Sequence, residues 1–351
     1  MWRRTTGRWR RAMSALALVE ARSAALPSTV QWRRFETSGA AAWKVPPHPL
    51  LPRDVVPAVP DEESAAVTAP VSADAVLLGK FDRGRQVRLR AFYADRGLSL
   101  RLQAGSRRPG RPHGVSRSVR AAQIVGAHRP GLLPAMVDHG ALFRGRTAYL
   151  VEETVHGRAS VNREEVSRAM AVVARELAEV QRAVGVSPAR LSQVVPAAFE
   201  ERWRRVVSDG HVSPRLAARV DRIVERDDLL EVSFTHGDLV TSNVLWVDGR
   251  VVLIDWEYAD FRPIAFDLAK IHVNAGPPGP ALAVLDDALD GLVGRTPGHY
   301  SLLEQLALAH VVVLSRLEAR MERAKEAQRL EPLRRQTYKR VRSMHALLTL
   351  E

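Results

Sequence analysis

The apolar residues of this chain change period once, near Ser160, and that change limits the architecture more than any other feature. From Ala75 to Val155 they fall in short, partly alternating runs: Ala75–Lys80, Gln86–Tyr93 and Leu98–Gln103, parted by Asp82-Arg83-Gly84 and Asp95-Arg96-Gly97. A Gly/Pro/Arg loop at Gly105–Gly114 leads into a helical stretch near Val115–Gly126, and further strands are expected at Ala135–His139 and Thr147–Glu152. Beyond Ser160 the spacing becomes three-and-four, over Arg163–Val184, Pro214–Ile223 and Pro280–Leu292. Tyr300–Arg329 reads as one long helix and Lys339–Leu350 as another, while Val232–Ile254 is a compact β segment between helices. A strand-rich lobe followed by a helical lobe predicts a two-lobe α+β fold.

Charge divides the chain in the same place. Residues 1–160 carry 26 Lys/Arg against 12 Asp/Glu, residues 161–351 carry 26 against 27, and the whole chain has a net charge of +13. The basic half favours an anionic partner, either a surface or a macromolecule. There are no cysteines, which excludes disulfides, thiol nucleophiles and cysteine-ligated metals. No apolar run reaches the roughly 18–20 residues of a membrane-spanning helix, so an integral membrane protein is not expected.

Residues 1–75 read as a basic extension, largely disordered and proline-studded from Val45 to Val71. Trp2, Trp9, Met13 and Leu16 would share one face of a helix, a pattern suited to an anionic interface and similar to an Arg-rich transit peptide. Residues 76–155 are then expected to form the strand-rich lobe and 156–351 the helical lobe. The expected location is cytoplasmic, with organellar or peripheral-membrane attachment through the N-terminus as the alternative.

The chemistry lies between Phe234 and Ala269. His236-Gly237-Asp238 follows a short apolar run, and Asn243 comes after four intervening residues. Val244–Val247, the turn Asp248-Gly249-Arg250 and Val251–Ile254 make a hairpin, from whose end Asp255 emerges. Pairing of the strands draws Asp238, Asn243 and Asp255 towards one edge. Two carboxylates and a carboxamide are what phosphoryl transfer requires: one acid to take the acceptor's proton, an amide and an acid to hold magnesium.

At these residues the sequence resembles the aminoglycoside phosphotransferase and choline kinase-like family, which shares the bilobal protein-kinase fold. The matching residues are His236-Gly237-Asp238, Asn243, Ile254-Asp255-Trp256-Glu257 and Asp267-Leu268-Ala269. The resemblance implies ATP-dependent transfer of a phosphoryl group to a hydroxyl, with ATP and Mg²⁺ as cofactors and nucleotide and hydroxyl-bearing acceptor as partners. It makes Asp238 the catalytic base, Asn243 and Asp255 the metal ligands, and His236 and Asp267 structural supports. The nucleotide's base would meet backbone groups of the hinge at Glu153 and Val155.

The small lobe departs from that pattern. Its strand lysine is replaced by Arg101, and no acid lies between Asp95 and Asp138, so the helix Ser116–Ala122 cannot supply the usual glutamate. Arg101 is therefore expected to be poorly oriented, with Lys80, Arg83, Arg85 and Arg120 sharing the phosphates. Gly79 and Gly84 form no specific phosphate loop, and Arg107–Arg111 lacks the aromatics of a nucleic-acid site. A pseudokinase serving as a scaffold is the alternative function. The near-neutral helical half favours a neutral or anionic small molecule, or a peptide, over a polycationic aminoglycoside.

Overall fold

The computed structural model describes residues 13–27, 31–38, 42–44, 65–78, 86–105, 114–294, 296–326 and 330–349. It divides into a strand-rich unit, residues 1–156 with 255–258, and a helical unit, residues 157–254 with 259–351. This is the α+β division that the change of period predicts.

The strand unit holds a five-stranded antiparallel sheet of order β4-β5-β6-β8-β7, built from β4 (Ala75–Leu78), β5 (Gln86–Tyr93), β6 (Leu98–Gly105), β7 (Met136–Leu142) and β8 (Thr147–Glu153). A smaller sheet precedes it, in which β1 (Gln31–Ser38) pairs with β2 (Ala42–Lys44) and β3 (Ala65–Val71). Alternation sets what each face of the larger sheet offers. Leu89, Ala91, Tyr93, Leu98, Leu100, Leu102, Tyr149 and Val151 are buried in one apolar cluster. The intervening residues include Arg88, Arg90, Ser99, Arg101, Gln103 and Glu152, so the opposite face is polar. Helix α2 (Gly114–His128) packs there, with Val115 against Ala148 and Leu150. Its first turn carries no acid, and Gln103 Oε1 accepts the Val115 N–H at 3.3 Å.

The apolar face is closed by residues 13–27, and this segment together with β1, β2 and β3 corrects the expectation of a largely disordered extension over residues 1–75 wherever those residues are described. Residues 13–20 are helical (α1), and Met13, Ala15, Leu16 and Val19 join the cluster with Val71, Ala73 and Val76. The apolar side of this helix is thus occupied by the sheet rather than offered to an anionic interface. Glu20 ends α1 as a buried acid, accepting from Ser72 N at 2.9 Å, Ala73 N at 3.0 Å and Tyr93 Oη at 2.9 Å. Trp2, Trp9 and the prolines from Pro46 to Pro60 lie outside the described residues, as do Gly79, Lys80, Arg83, Gly84, Arg85 and Arg107–Arg111.

In the helical unit, α3 (Arg163–Val184) starts on Asn162, whose side chain accepts the Glu165 N–H at 2.9 Å, and ends at Gly185 with φ 95°. Strand β9 (Arg158–Ala159) pairs with β12 (Val244–Val247), which pairs in turn with β13 (Arg250–Leu253) through the turn Asp248-Gly249. Both turn residues have positive φ, 47° and 78°, as a type I′ hairpin demands. Strands β10 (Ser187–Arg190), β11 (Leu229–Thr235) and β14 (Asp260–Pro263) form a second small sheet. Short α4 (Leu191–Val194), α5 (Phe199–Ser208) and α6 (Pro214–Glu225) lie between β10 and β11, and α7 (Ala265–Asn274) and α8 (Pro278–Leu289) follow β14.

The expected helix Tyr300–Arg329 is two helices, α9 (Leu302–Leu314) and α10 (Leu317–Glu326). Nearly every residue of α9 is buried, whereas α10 is strongly polar and keeps Leu317 in the core, and the helix is interrupted at Ser315. Ser315 Oγ donates back to Val312 O at 2.9 Å. Helix α11 (Leu330–Thr349) begins earlier than its sequence pattern predicts and packs on α9, placing Leu333, Met344 and Leu348 in the core with Phe199, Trp203, Val220 and Tyr300. Among the described residues no helix is long and apolar enough to cross a membrane.

Candidate active site

Strand β11 delivers the loop His236-Gly237-Asp238, and α7 holds it from below. Asp267, in the first turn of α7 and 1% exposed, accepts the His236 N–H at 2.6 Å and the Gly237 N–H at 3.1 Å. The loop can turn its amides onto this carboxylate because Gly237 has φ 80°, a conformation costly for a residue with a Cβ. His236 is fully buried and its tautomer follows from its neighbours. Nε2 faces Ile254 O at 2.9 Å and must donate, leaving Nδ1 to accept the Asp238 N–H at 3.3 Å. Burial pushes this imidazole below its ordinary pKa, against the raising pull of Asp267. It is a neutral brace.

Asp238 emerges from this frame with its side chain 48% exposed, while Leu239 next to it is buried. The 3₁₀ turn Thr241–Asn243 brings Asn243 back onto the loop: its Nδ2 donates to Asp238 O at 2.9 Å, and its own carbonyl accepts the Ile254 N–H at 3.0 Å. Because Asp238 O can only accept, the Asn243 amide is fixed with Oδ1 as its remaining atom. A residue that pattern reading passed over completes the loop. Lys270, one helical turn beyond Asp267, donates to Gly237 O at 2.9 Å and to Asp238 Oδ1 at 3.3 Å.

The strand unit carries a second cluster, on the polar face of its sheet. Arg101, 8% exposed on β6, meets Glu152 Oε2 at 2.7 Å and Asp255 Oδ1 at 3.6 Å. Arg90, its register partner on β5, reaches the other oxygen of Glu152 at 3.2 Å, and Arg88 pairs with Glu257. Arg101 is therefore not left without an acid. The glutamate comes from strand β8 instead of helix α2, because Glu152 stands two residues along β8 from Leu150, the register partner of Arg101. Burial acts to lower the Arg101 pKa, but Glu152 and Asp255 outweigh it and hold it above the ordinary value. Burial lowers that of Arg90, with Glu152 opposing, and burial raises that of Glu257 against the pull of Arg88.

Asp255 has φ 66°, a left-handed conformation that an aspartate tolerates better than most residues, and its side chain is 53% exposed. The turn Trp256–Tyr258 that follows packs beside α2 so closely that a Cβ on Gly114 would lie 3.1 Å from Glu257. At the end of β8, the Glu153 N–H is committed to Ala135 O at 2.9 Å and the Thr154 N–H to Gly97 O at 2.7 Å; Val155 follows. Arg120 lies exposed on α2.

The helical unit thus holds an aspartate braced at the end of a short strand beside an oriented asparagine, and the strand unit holds a strand arginine paired with a buried glutamate. Residues 98–303 match the model of the phosphotransferase enzyme family, and the chain belongs to that family. It resembles solved structures at low identity. A thermostable mutant of an aminoglycoside phosphotransferase, in ternary complex with AMP-PNP and hygromycin B, is 15% identical with a TM-score of 0.48, over 78% of this chain and 95% of that one. An aminoglycoside phosphotransferase from Alicyclobacillus acidocaldarius is 16% identical with a TM-score of 0.48, over 78% and 90%. A choline/ethanolamine kinase family protein from Mesorhizobium loti is 16% identical with a TM-score of 0.46, over 77% and 86%. No curated protein gives a significant match.

Proposed function

We propose that this phosphotransferase moves the γ-phosphoryl group of ATP to a hydroxyl of a neutral or anionic small molecule. The observation that carries this reading is Asp238, a half-exposed carboxylate on a loop otherwise locked by Asp267, His236 and Asn243. The acceptor oxygen attacks the γ-phosphorus as its proton passes to Asp238 Oδ2. The bond between the γ-phosphorus and the β–γ bridging oxygen breaks, and ADP leaves with that electron pair.

Asn243 and Asp255 would hold magnesium. An amide oxygen and a carboxylate suit a hard divalent cation, and the amide's orientation is already set by its bond to Asp238 O. Magnesium, when bound, neutralises phosphate charge. Arg101 is the phosphate-facing cation of the strand unit, its guanidinium oriented by Glu152, and the carbonyl of Glu153 and the backbone of Val155 would meet the base. Among the described residues Asp238 has the ammonium of Lys270 as its ion-pair partner, which favours neutral or anionic acceptors over polycations.

The test is calorimetric titration of the full chain with ATP, with and without magnesium, followed by ADP-release assays against polyols, choline, phosphorylated sugars, serine-containing peptides and kanamycin. Magnesium-dependent binding and turnover on a neutral or anionic hydroxyl compound are expected. Absence of binding at millimolar ATP overturns the reading in favour of a scaffold, and efficient kanamycin phosphorylation overturns the acceptor class.

A further inference from the structure

The four residues between Asp238 and Asn243 are Leu239, Val240, Thr241 and Ser242, so the catalytic loop brings no cation of its own to its carboxylate. The charge arrives from α7. Lys270 sits on the helix that also carries Asp267, three residues away, and its side chain is only 15% exposed. One ammonium hydrogen is given to Gly237 O at 2.9 Å and another points to Asp238 Oδ1 at 3.3 Å.

We infer that Lys270 is a positioning residue for the phosphoryl transfer proposed above, an inference that rests on that reading. A half-exposed aspartate can rotate about its side-chain bonds, and only an oxygen aimed at the incoming hydroxyl accepts its proton productively. Lys270 anchors itself on the backbone of the loop and holds Oδ1, which leaves Oδ2 as the oxygen turned to the acceptor. Asp267 and Lys270 thus divide the work along one helix face: Asp267 fixes the loop's amides, Lys270 fixes the carboxylate they present. An ammonium has three donors, and two have partners here.

The experiment uses the full chain with Mg-ATP, following ADP formation with water as acceptor and with glycerol and a phosphorylated sugar as probe alcohols. Lys270→Met is expected to lower kcat about 10- to 100-fold, the loss that follows removal of a charged hydrogen bond, with KM for ATP within about twofold. Lys270→Arg, which can still donate, should recover most of that loss. Thermal midpoints of both variants accompany the rates. A Lys270→Met variant with undiminished kcat overturns the inference, and so does one whose lost rate tracks a lost thermal midpoint or a raised KM, since either marks a merely structural lysine. Asp238→Asn is measured in parallel. If it keeps the wild-type rate, or if the wild type forms no ADP, the phosphotransfer reading falls and this inference with it. If Asp238→Asn is inactive while Lys270→Met is unaffected, only the role of Lys270 falls.

Discussion

The catalytic loop and the polar face of the sheet solve the same problem, orienting a charged group, by opposite means. Asp238 is held by partners drawn from residues 236 to 270, nearly all within one stretch of chain, and it stays half-exposed. Arg101 is held by Glu152, fifty-one residues away and 4% exposed, together with Asp255 from much further along. The loop keeps its charge accessible and rigid through backbone bonds; the sheet keeps its charges through mutual neutralisation. Buried ion pairs gain little net stability, yet breaking one is costly because the surviving charge is stranded. The loop should therefore be sensitive in rate, and the sheet sensitive in stability.

The sharpest way to break this contrast is Asp238→Asn. Turnover should fall by on the order of 10²–10⁴, with nucleotide affinity measured by calorimetry and the thermal midpoint both close to wild type. A large loss of stability would show that the loop, like the sheet, depends on its charge for folding.

Acid should separate the two units. His236, His272 and His310 are buried in the helical unit and burial depresses all three below the ordinary value, with Arg340 adding to the effect at His310. As pH falls through about 6.5 the unfolded chain takes up protons that the folded unit does not. Stability is therefore lost with falling pH, by up to roughly 1.4 kcal/mol per pH unit for each histidine. Denaturant midpoints at pH 7.5 and 5.5, with hydrogen exchange reporting on each unit, should show the helical unit giving way first. Equal loss in the strand unit would remove the histidines as the cause.

Glu152→Ala should destabilise the strand unit by about 3 kcal/mol, because it strands Arg90 and Arg101 together. Calorimetric unfolding of the full chain checks this, and an unchanged midpoint would mean that solvent reaches both guanidinium groups. Gly237→Ala should have the smallest effect on stability, about 1–2 kcal/mol from its positive φ, while cutting turnover by moving the amides off Asp267. Wild-type turnover in that variant would show that Asp267 does not set the geometry of Asp238.

The difference between these regions also explains what pattern reading could reach. The hairpin at Asp248-Gly249 is legible because turn chemistry and short spacing dictate it, and Asp238 and Asp267 are legible through the family resemblance. Lys270 stands three residues beyond Asp267, a one-turn relation that exists only because residues 265–274 are helical. The partner of Arg101 was not legible, since it depends on the register of β6 against β8, a relation between strands separated by α2 and β7. The place of residues 13–20 was hidden for the same reason: their helical spacing is visible, but the sheet that covers them is assembled from residues 71 to 151. The interruption at Ser315 falls where the nearly fully buried α9 gives way to the polar α10, a change of surroundings that no local period records.

The segment 255–258 belongs to the strand unit although about a hundred residues of helical unit are made before it. On a ribosome adding roughly 5–20 residues per second, the first 156 residues emerge and then wait on the order of ten seconds for this last piece. During that interval Arg88 has not met Glu257 and Arg101 has only Glu152. The pairs of Arg88 with Glu257 and of Arg101 with Asp255 thus form only after the hairpin has been made. Completion of the strand unit is timed by synthesis of the hairpin, so a nascent chain that stops before Asp255 lacks two of the acids that neutralise its basic face.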